Sequence, residues 1–202
     1  MKKVVFLVSH LGSGSFDLLK ILNKNPNCHF HTSDTIYNHP EDLKWIYDNH
    51  KLKDYSSAIY GDHLLYNTSF YCKSLYKFCK FIYVIRSPRQ TLNNILTLNN
   101  ILNFNNDQKG AVNYYKFRIR RIFEMARDTK GAIFTTYEDL SKFNSFPIIE
   151  EYLGLSEPLV REKFDQDDLN DFNENLIKDA ENYYNKYFYL MNKLDLRKKI
   201  NV

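Results

Sequence analysis

Along this chain, short continuous apolar runs alternate with stretches whose apolar residues recur every three or four positions. "KVVFLV" (Lys3–Val8) and "KFIYVIR" (Lys80–Arg86) are the clearest runs; "AIFTTY" (Ala132–Tyr137) and "SAIYGD" (Ser57–Asp62) are shorter, and "CHFHT" (Cys28–Thr32) is the weakest. Their apolar residues do not alternate with polar ones, as befits strands covered on both faces. Helical spacing predicts helices over Ser15–Asn23, Pro40–Asn49, Ser69–Phe78, Pro88–Asn103 and Gln108–Asp128. In the longest, Tyr115, Ile119, Ile122, Phe123 and Ala126 make one buried stripe, with Arg118, Arg120, Arg121 and Arg127 mostly off it. A last helical region, from about Ser156 through "AENYYNKYFYLMNKL", is expected to pack back over the sheet. The order predicts one α/β domain over residues 1–202, three-layered, with a central, mainly parallel sheet of about five strands. Ligands of such sheets bind beyond the carboxyl ends of the strands.

Two of those ends carry candidate chemistry. After the first strand, "SHLGSGSF" supplies Gly12 and Gly14 for a tight turn, with hydroxyls on Ser13 and Ser15. The helix that follows offers free N–H groups and a positive dipole end, which bind anions without any side-chain charge. No lysine follows either glycine, against an ATPase or GTPase, and Asp17 stands where a dinucleotide fingerprint needs its third glycine. The loop reads equally well as an anion site or as a turn capped by Ser13 or Ser15. After "KFIYVIR", Arg86 offers a planar fork suited to phosphate, and Asn94 an amide on the same side; Arg86 paired with an acidic neighbour is the plainer reading.

Taken in order, these stretches resemble the sulfotransferases that use 3′-phosphoadenosine 5′-phosphosulfate (PAPS), over roughly residues 4 to 140. Ser13-Gly14-Ser15 looks like their 5′-phosphosulfate loop. Arg86-Ser87-Pro88 with Asn94 looks like their 3′-phosphate motif, Asn94 standing at the family's serine. Tyr137-Glu138-Asp139-Leu140 matches their Y-E-D-L, whose tyrosine contacts the nucleotide in some members. His63, in "GDHLL" about two dozen residues before Arg86, is similar to the histidine that deprotonates the acceptor hydroxyl. The resemblance implies a fold like that of the P-loop nucleotide kinases and sulfotransferases. It implies transfer of a sulfuryl group from PAPS to a hydroxyl on a glycan, small molecule or protein, with no metal. The sequence also departs from the pattern. Gly12 replaces the family's Lys or Arg, Phe16 its second Thr, and Asp17 a Trp or Leu. His10, if protonated, or an arginine of the long helix is a candidate for the missing cation. These departures keep open a non-catalytic nucleotide- or glycan-binding descendant, and the fold keeps open a kinase-like transferase.

Composition changes little. A net charge of +4 favours an anionic ligand only mildly, and no basic run argues for nucleic acid. The apolar start is too short for a signal peptide and no stretch is long enough to span a membrane, so the expected location is cytoplasmic. Cys28, Cys72 and Cys79 form no C-x-x-C pair; Cys72 and Cys79, a heptad apart, suit one helix face. His29 and His31 alternate like a zinc pair without a further ligand, and His39 and His50 show no metal spacing. Trp45 is a core aromatic or a sugar platform. The arginines of the long helix read as a solvated face or as a positive wall beside the nucleotide, and Arg197, Lys198 and Lys199 faintly resemble a late phosphate contact.

Overall fold

The computed structural model describes residues 3–30, 59–65, 79–97, 104–129, 131–164 and 172–194. Five strands, β1 (Lys3–Val8), β2 (Cys28–Phe30), β3 (Ile59–Leu64), β4 (Cys79–Ile85) and β5 (Ile133–Thr136), form one sheet in the order β2-β3-β1-β4-β5. Every pairing is parallel. Among the described residues the helices are α1 (Ser15–Lys24), α2 (Leu92–Thr97), α3 (Gln108–Asp128), α4 (Tyr137–Ser141), α5 (Phe146–Leu153) and α6 (Glu174–Lys193).

The unbroken apolar runs follow from two cores, one on each face of the sheet. Val5, Leu7, Ile82, Val84 and Ile133 pack with α1, α4 and α5 residues such as Leu18, Leu22, Leu140 and Ile149. Phe6, Val8, Phe81, Tyr83, Ile85 and Phe134 point the other way, onto α2, α3 and α6 residues including Leu92, Tyr115, Ile119 and Ile177. Alternate side chains of one strand thus leave water on opposite faces, and the architecture is the expected α/β arrangement of three layers. Adjacent strands β1 and β4 send their following helices to opposite faces. Their carboxyl ends therefore part, which is where open α/β sheets form a ligand crevice.

Several boundaries differ from expectation. The register runs Leu7↔His63 and Val8↔Leu64, so His63 is a residue of β3 and does not follow it. Cys79 opens β4 instead of sharing a helix with Cys72. The expected helix from Pro88 is divided. A 3-10 turn, Pro88–Gln90, precedes α2, and Thr91 between them donates its hydroxyl to the Leu11 carbonyl at 2.9 Å. Residues 156–164 carry no helix; Leu159 and Phe164 anchor them in the core, and α6 starts only at Glu174, capped by the Asn173 side chain. Helix α5 was unanticipated, although Phe146, Ile149 and Tyr152-Leu153 keep helical spacing and Gly154 closes it at φ 69°.

The expected helices Pro40–Asn49 and Ser69–Phe78 lie outside the described residues, as do His31, His39, Trp45, His50, Cys72 and Arg197–Lys199. Among the described residues no helix is long and apolar enough to cross a membrane, and no group of three metal-ligating side chains occurs.

Candidate functional site

The carboxyl ends of β1 and β4 are tied together by the loop between β1 and α1. Arg86, just past β4, donates its backbone N–H to His10 Nε2 at 3.0 Å and Nη1 to the Gly12 carbonyl at 3.1 Å. Its guanidinium carbon lies 3.7 Å from the centroid of the Tyr137 ring, a cation–π stack that flattens the fork against the first turn of α4. The Arg86 carbonyl accepts from the Tyr115 hydroxyl at 2.7 Å. Tyr137 is held in turn by the α4 cap, where the Thr136 hydroxyl accepts from the Asp139 N–H. Arg86, Tyr137 and the loop, far apart in sequence, therefore converge.

The loop needs its glycines. Gly12 and Gly14 sit at φ 70° and 77°, in the left-handed region. A Cβ on Gly14 would stand 2.5 Å from Tyr137 Cδ2, and one on Gly12 2.3 Å from Thr91 Oγ1 and 3.1 Å from Asn94 Cβ. Asn94 thus borders the loop from α2. The cap residue of α1 is Gly14, not Ser13 or Ser15, and no side chain caps the helix. The first N–H groups of α1 keep their dipole end uncapped, with Ser13 and Ser15 beside it.

Those hydroxyls run inward as a chain. Ser13 Oγ donates to Ser15 Oγ at 3.0 Å, Ser15 Oγ lies 2.8 Å from Ser9 Oγ, and Ser9 Oγ lies 2.7 Å from His63 Nε2. All four residues are buried. His63 also has its backbone N–H on Asp62 Oδ1 at 2.7 Å and its ring edge-on to Phe16, centroids 4.8 Å apart. Burial lowers the His63 pKa to about 3, with the Arg118 cation acting in the same direction. The imidazole is neutral at neutral pH, as a proton acceptor must be.

His10 is neutral as well and does not supply the missing cation. Burial lowers its pKa to about 3, with Arg118 and Arg86 adding to the effect and the bond to Leu11 opposing it. Both nitrogens are committed, Nδ1 to the Leu11 carbonyl at 2.8 Å and Nε2 as acceptor from the Arg86 N–H, which fixes the Nδ1–H tautomer. Asp17 lies 3.5 Å from Lys20 on the exposed side of α1.

Three contributors, Ser9, Thr91 and Tyr115, were not foreseen, and Arg118 was foreseen only as one of the arginines of the long helix. Arg118, expected off the apolar stripe, is buried and donates Nε to the Ser9 carbonyl at 2.8 Å and Nη2 to the Leu64 carbonyl at 2.6 Å. It locks the ends of β1 and β3, and its charge acts on both histidines, jointly with Arg86 at His10. The sequence held a signal for it, since position 118 falls three after Tyr115 and four before Ile122, on the stripe. Ser9, Thr91 and Tyr115 act through contacts across the fold that no local pattern announces. The other arginines of α3 form surface ion pairs, Arg120 and Arg121 with Glu124 and Arg127 with Asp128. Arg89, three residues beyond Arg86, pairs with Glu174 and Glu181 of α6 and so faces away from the loop.

No protein-family profile and no curated sequence matches the chain. Among solved structures the fold is similar to mouse sulfotransferase SULT7A1 complexed with PAP, at 18% identity and a TM-score of 0.52, over 89% of this chain and 63% of that one. The chain thus spans less than two thirds of the mouse protein's length. Retinol dehydratase in complex with androsterone and inactive cofactor PAP aligns at 13% identity and a TM-score of 0.49, over 92% of this chain and 80% of that one. At these identities the likeness establishes the fold, a sulfotransferase-like α/β fold with an all-parallel five-stranded sheet.

Proposed function

We propose that this chain is a PAPS-dependent sulfotransferase acting on a hydroxyl acceptor. The observation that carries the proposal is the convergence of Arg86, stacked on Tyr137, with a glycine loop and an uncapped helix N-terminus at the parting of β1 and β4. Such a cradle fits an anion with a flat heterocycle nearby. PAPS would bring a sulfuryl group already activated as a mixed anhydride with phosphate. Ser13, Gly14 and Ser15 would hold the 5′-phosphosulfate, Arg86 and Asn94 the 3′-phosphate, and Tyr137 would lie beside the nucleotide. His63 would take the proton from the acceptor, a role worth about 10²–10⁴ in rate. The acceptor would be a glycan, a small molecule or a protein hydroxyl.

Without a cation at position 12, charge developing on the leaving 5′-phosphate falls to the α1 dipole and the loop N–H groups alone. Losing one preorganised electrostatic contact typically costs about 2.7–4 kcal/mol in the transition state. Gly12 and the neutrality of His10 therefore favour a second reading, a nucleotide-binding descendant without turnover.

Comparative titration with adenosine 3′,5′-bisphosphate and ATP, followed by assay of labelled sulfate transfer to hydroxyl acceptors, separates these readings. The sulfotransferase reading expects preference for the bisphosphate and transfer that His63→Ala abolishes. Preference for ATP would support a kinase-like transferase, and bisphosphate binding without transfer the non-catalytic descendant.

A further inference from the structure

We propose that Ser9 is a positioning residue that makes the tautomer of His63 depend on whether an anion occupies the glycine loop, an inference that rests on the nucleotide reading above. The observation is the continuous buried chain Ser13–Ser15–Ser9–His63, with successive separations of 3.0, 2.8 and 2.7 Å.

Each hydroxyl has one proton to give, so the chain has a direction. Ser13 donates to Ser15. With the loop free of anion, Ser15 passes its proton toward Ser9, and Ser9 donates to His63 Nε2. The lone pair on Nε2 is then occupied, and the ring proton resides on Nδ1.

An anion in the loop reverses this order. Oxygens of a phosphate or phosphosulfate are acceptors only, and the hydroxyls of Ser13 and Ser15 stand beside the uncapped end of α1. Once both turn to donate to the anion, Ser15 Oγ no longer donates to Ser9 and becomes an acceptor for it. Ser9 then offers His63 a lone pair instead of a proton. The same 2.7 Å contact is satisfied only if Nε2 carries hydrogen. The ring loses its proton from Nδ1 and gains one on Nε2, with no change in charge and no heavy atom displaced. Nδ1 is left as the basic nitrogen. Donor binding would thus set which nitrogen can accept the substrate proton.

The surroundings suit such a switch. Ser9 and His63 are fully buried, so water does not compete for the contact. The Ser9 carbonyl is fixed by Arg118 Nε at 2.8 Å, which holds the Ser9 backbone still while its hydroxyl rotates.

The test is nitrogen-15 NMR of ring-labelled histidine in the full chain, with and without saturating adenosine 3′,5′-bisphosphate, on wild type, Ser9→Ala and Ser15→Ala. The expected result is exchange of the protonated and unprotonated His63 nitrogen signals on ligand addition in wild type, and loss of that exchange in both variants. Ser15→Ala leaves the Ser9–His63 contact in place, so its failure to switch would locate the coupling in the chain and not in packing around Ser9. Ser9→Thr, which keeps the hydroxyl, should restore the exchange. Ligand binding shown by calorimetry without any exchange would overturn this inference and leave the nucleotide reading standing. Absence of ligand binding would overturn both, and exchange that persists in Ser9→Ala would overturn the inference alone.

Discussion

Replacing Gly12 by lysine would put a cation where the resembling enzymes have one, and the structure predicts that the chain will not accept it. The backbone there lies at φ 70°, a conformation that costs a non-glycine residue about 1–2 kcal/mol. The new Cβ would stand 2.3 Å from Thr91 Oγ1 and 3.1 Å from Asn94 Cβ. Forcing extra atoms into a filled site typically costs about 1–3 kcal/mol. Thr91 is not free to retreat, since its hydroxyl donates to the Leu11 carbonyl at 2.9 Å. Gly12→Lys should therefore destabilise the fold by about 2–5 kcal/mol. At about 2–4 °C per kcal/mol for a chain of this size, Tm should fall by about 4–20 °C. Urea unfolding of Gly12→Ala and Gly12→Lys measures this directly, and alanine should suffer nearly as much because the penalty arises at Cβ. Pairing Gly12→Lys with Thr91→Ala removes the nearest clash and should show a favourable coupling of about 0.5–3 kcal/mol. A Gly12→Lys protein as stable as wild type would refute the reasoning.

The two buried histidines make stability sensitive to acid. Their unfolded pKa near 6.5 falls to about 3 on folding, so the unfolded state binds more protons between those values. The stability is complete above about pH 6.5 and declines as pH falls toward 3, by about 1.4 kcal/mol per pH unit for each histidine. Urea midpoints between pH 6 and 5 should show a steep slope that His63→Gln reduces, and a flat profile would contradict the neutral assignments. Arg118→Met leaves the buried Ser9 carbonyl without its guanidinium donor, while the Leu64 carbonyl keeps the Ser9 N–H at 3.3 Å, and should cost about 1–3 kcal/mol by urea unfolding. A loss below 1 kcal/mol, on the order of a surface substitution, would show that the arginine does not lock the strand ends.

What could be read from the sequence was what is local. The runs "KVVFLV" and "KFIYVIR" gave strands because both faces of the sheet are covered, and Gly12, Gly14, Arg86 and Tyr137 announced themselves through motifs only a few residues long. The alternation of strands and helices placed the ligand beyond the carboxyl ends of the strands, but which two ends part was not legible. Contacts across the fold were hidden. Thr91 explains why position 12 is glycine, yet it lies in an ordinary helix-start sequence and reaches the loop only after β1 and β4 pair. Arg118 looked like one of several solvated arginines because it stands beside Arg120 and Arg121, and only its phase on the helix separates it from them. His10 carried the residue type of a cation, but its two neighbours in space fix it as neutral.

The central claim is that Arg86 and the glycine loop form one nucleotide site, and isothermal calorimetry with adenosine 3′,5′-bisphosphate on wild type and Arg86→Ala tests it most directly. Hydrogen bonds from a charged donor contribute about 1.5–3 kcal/mol, so the variant, checked to be folded by circular dichroism, should bind about 10- to 150-fold more weakly. Absence of binding to wild type at millimolar ligand, or equal affinity in Arg86→Ala, would contradict the account.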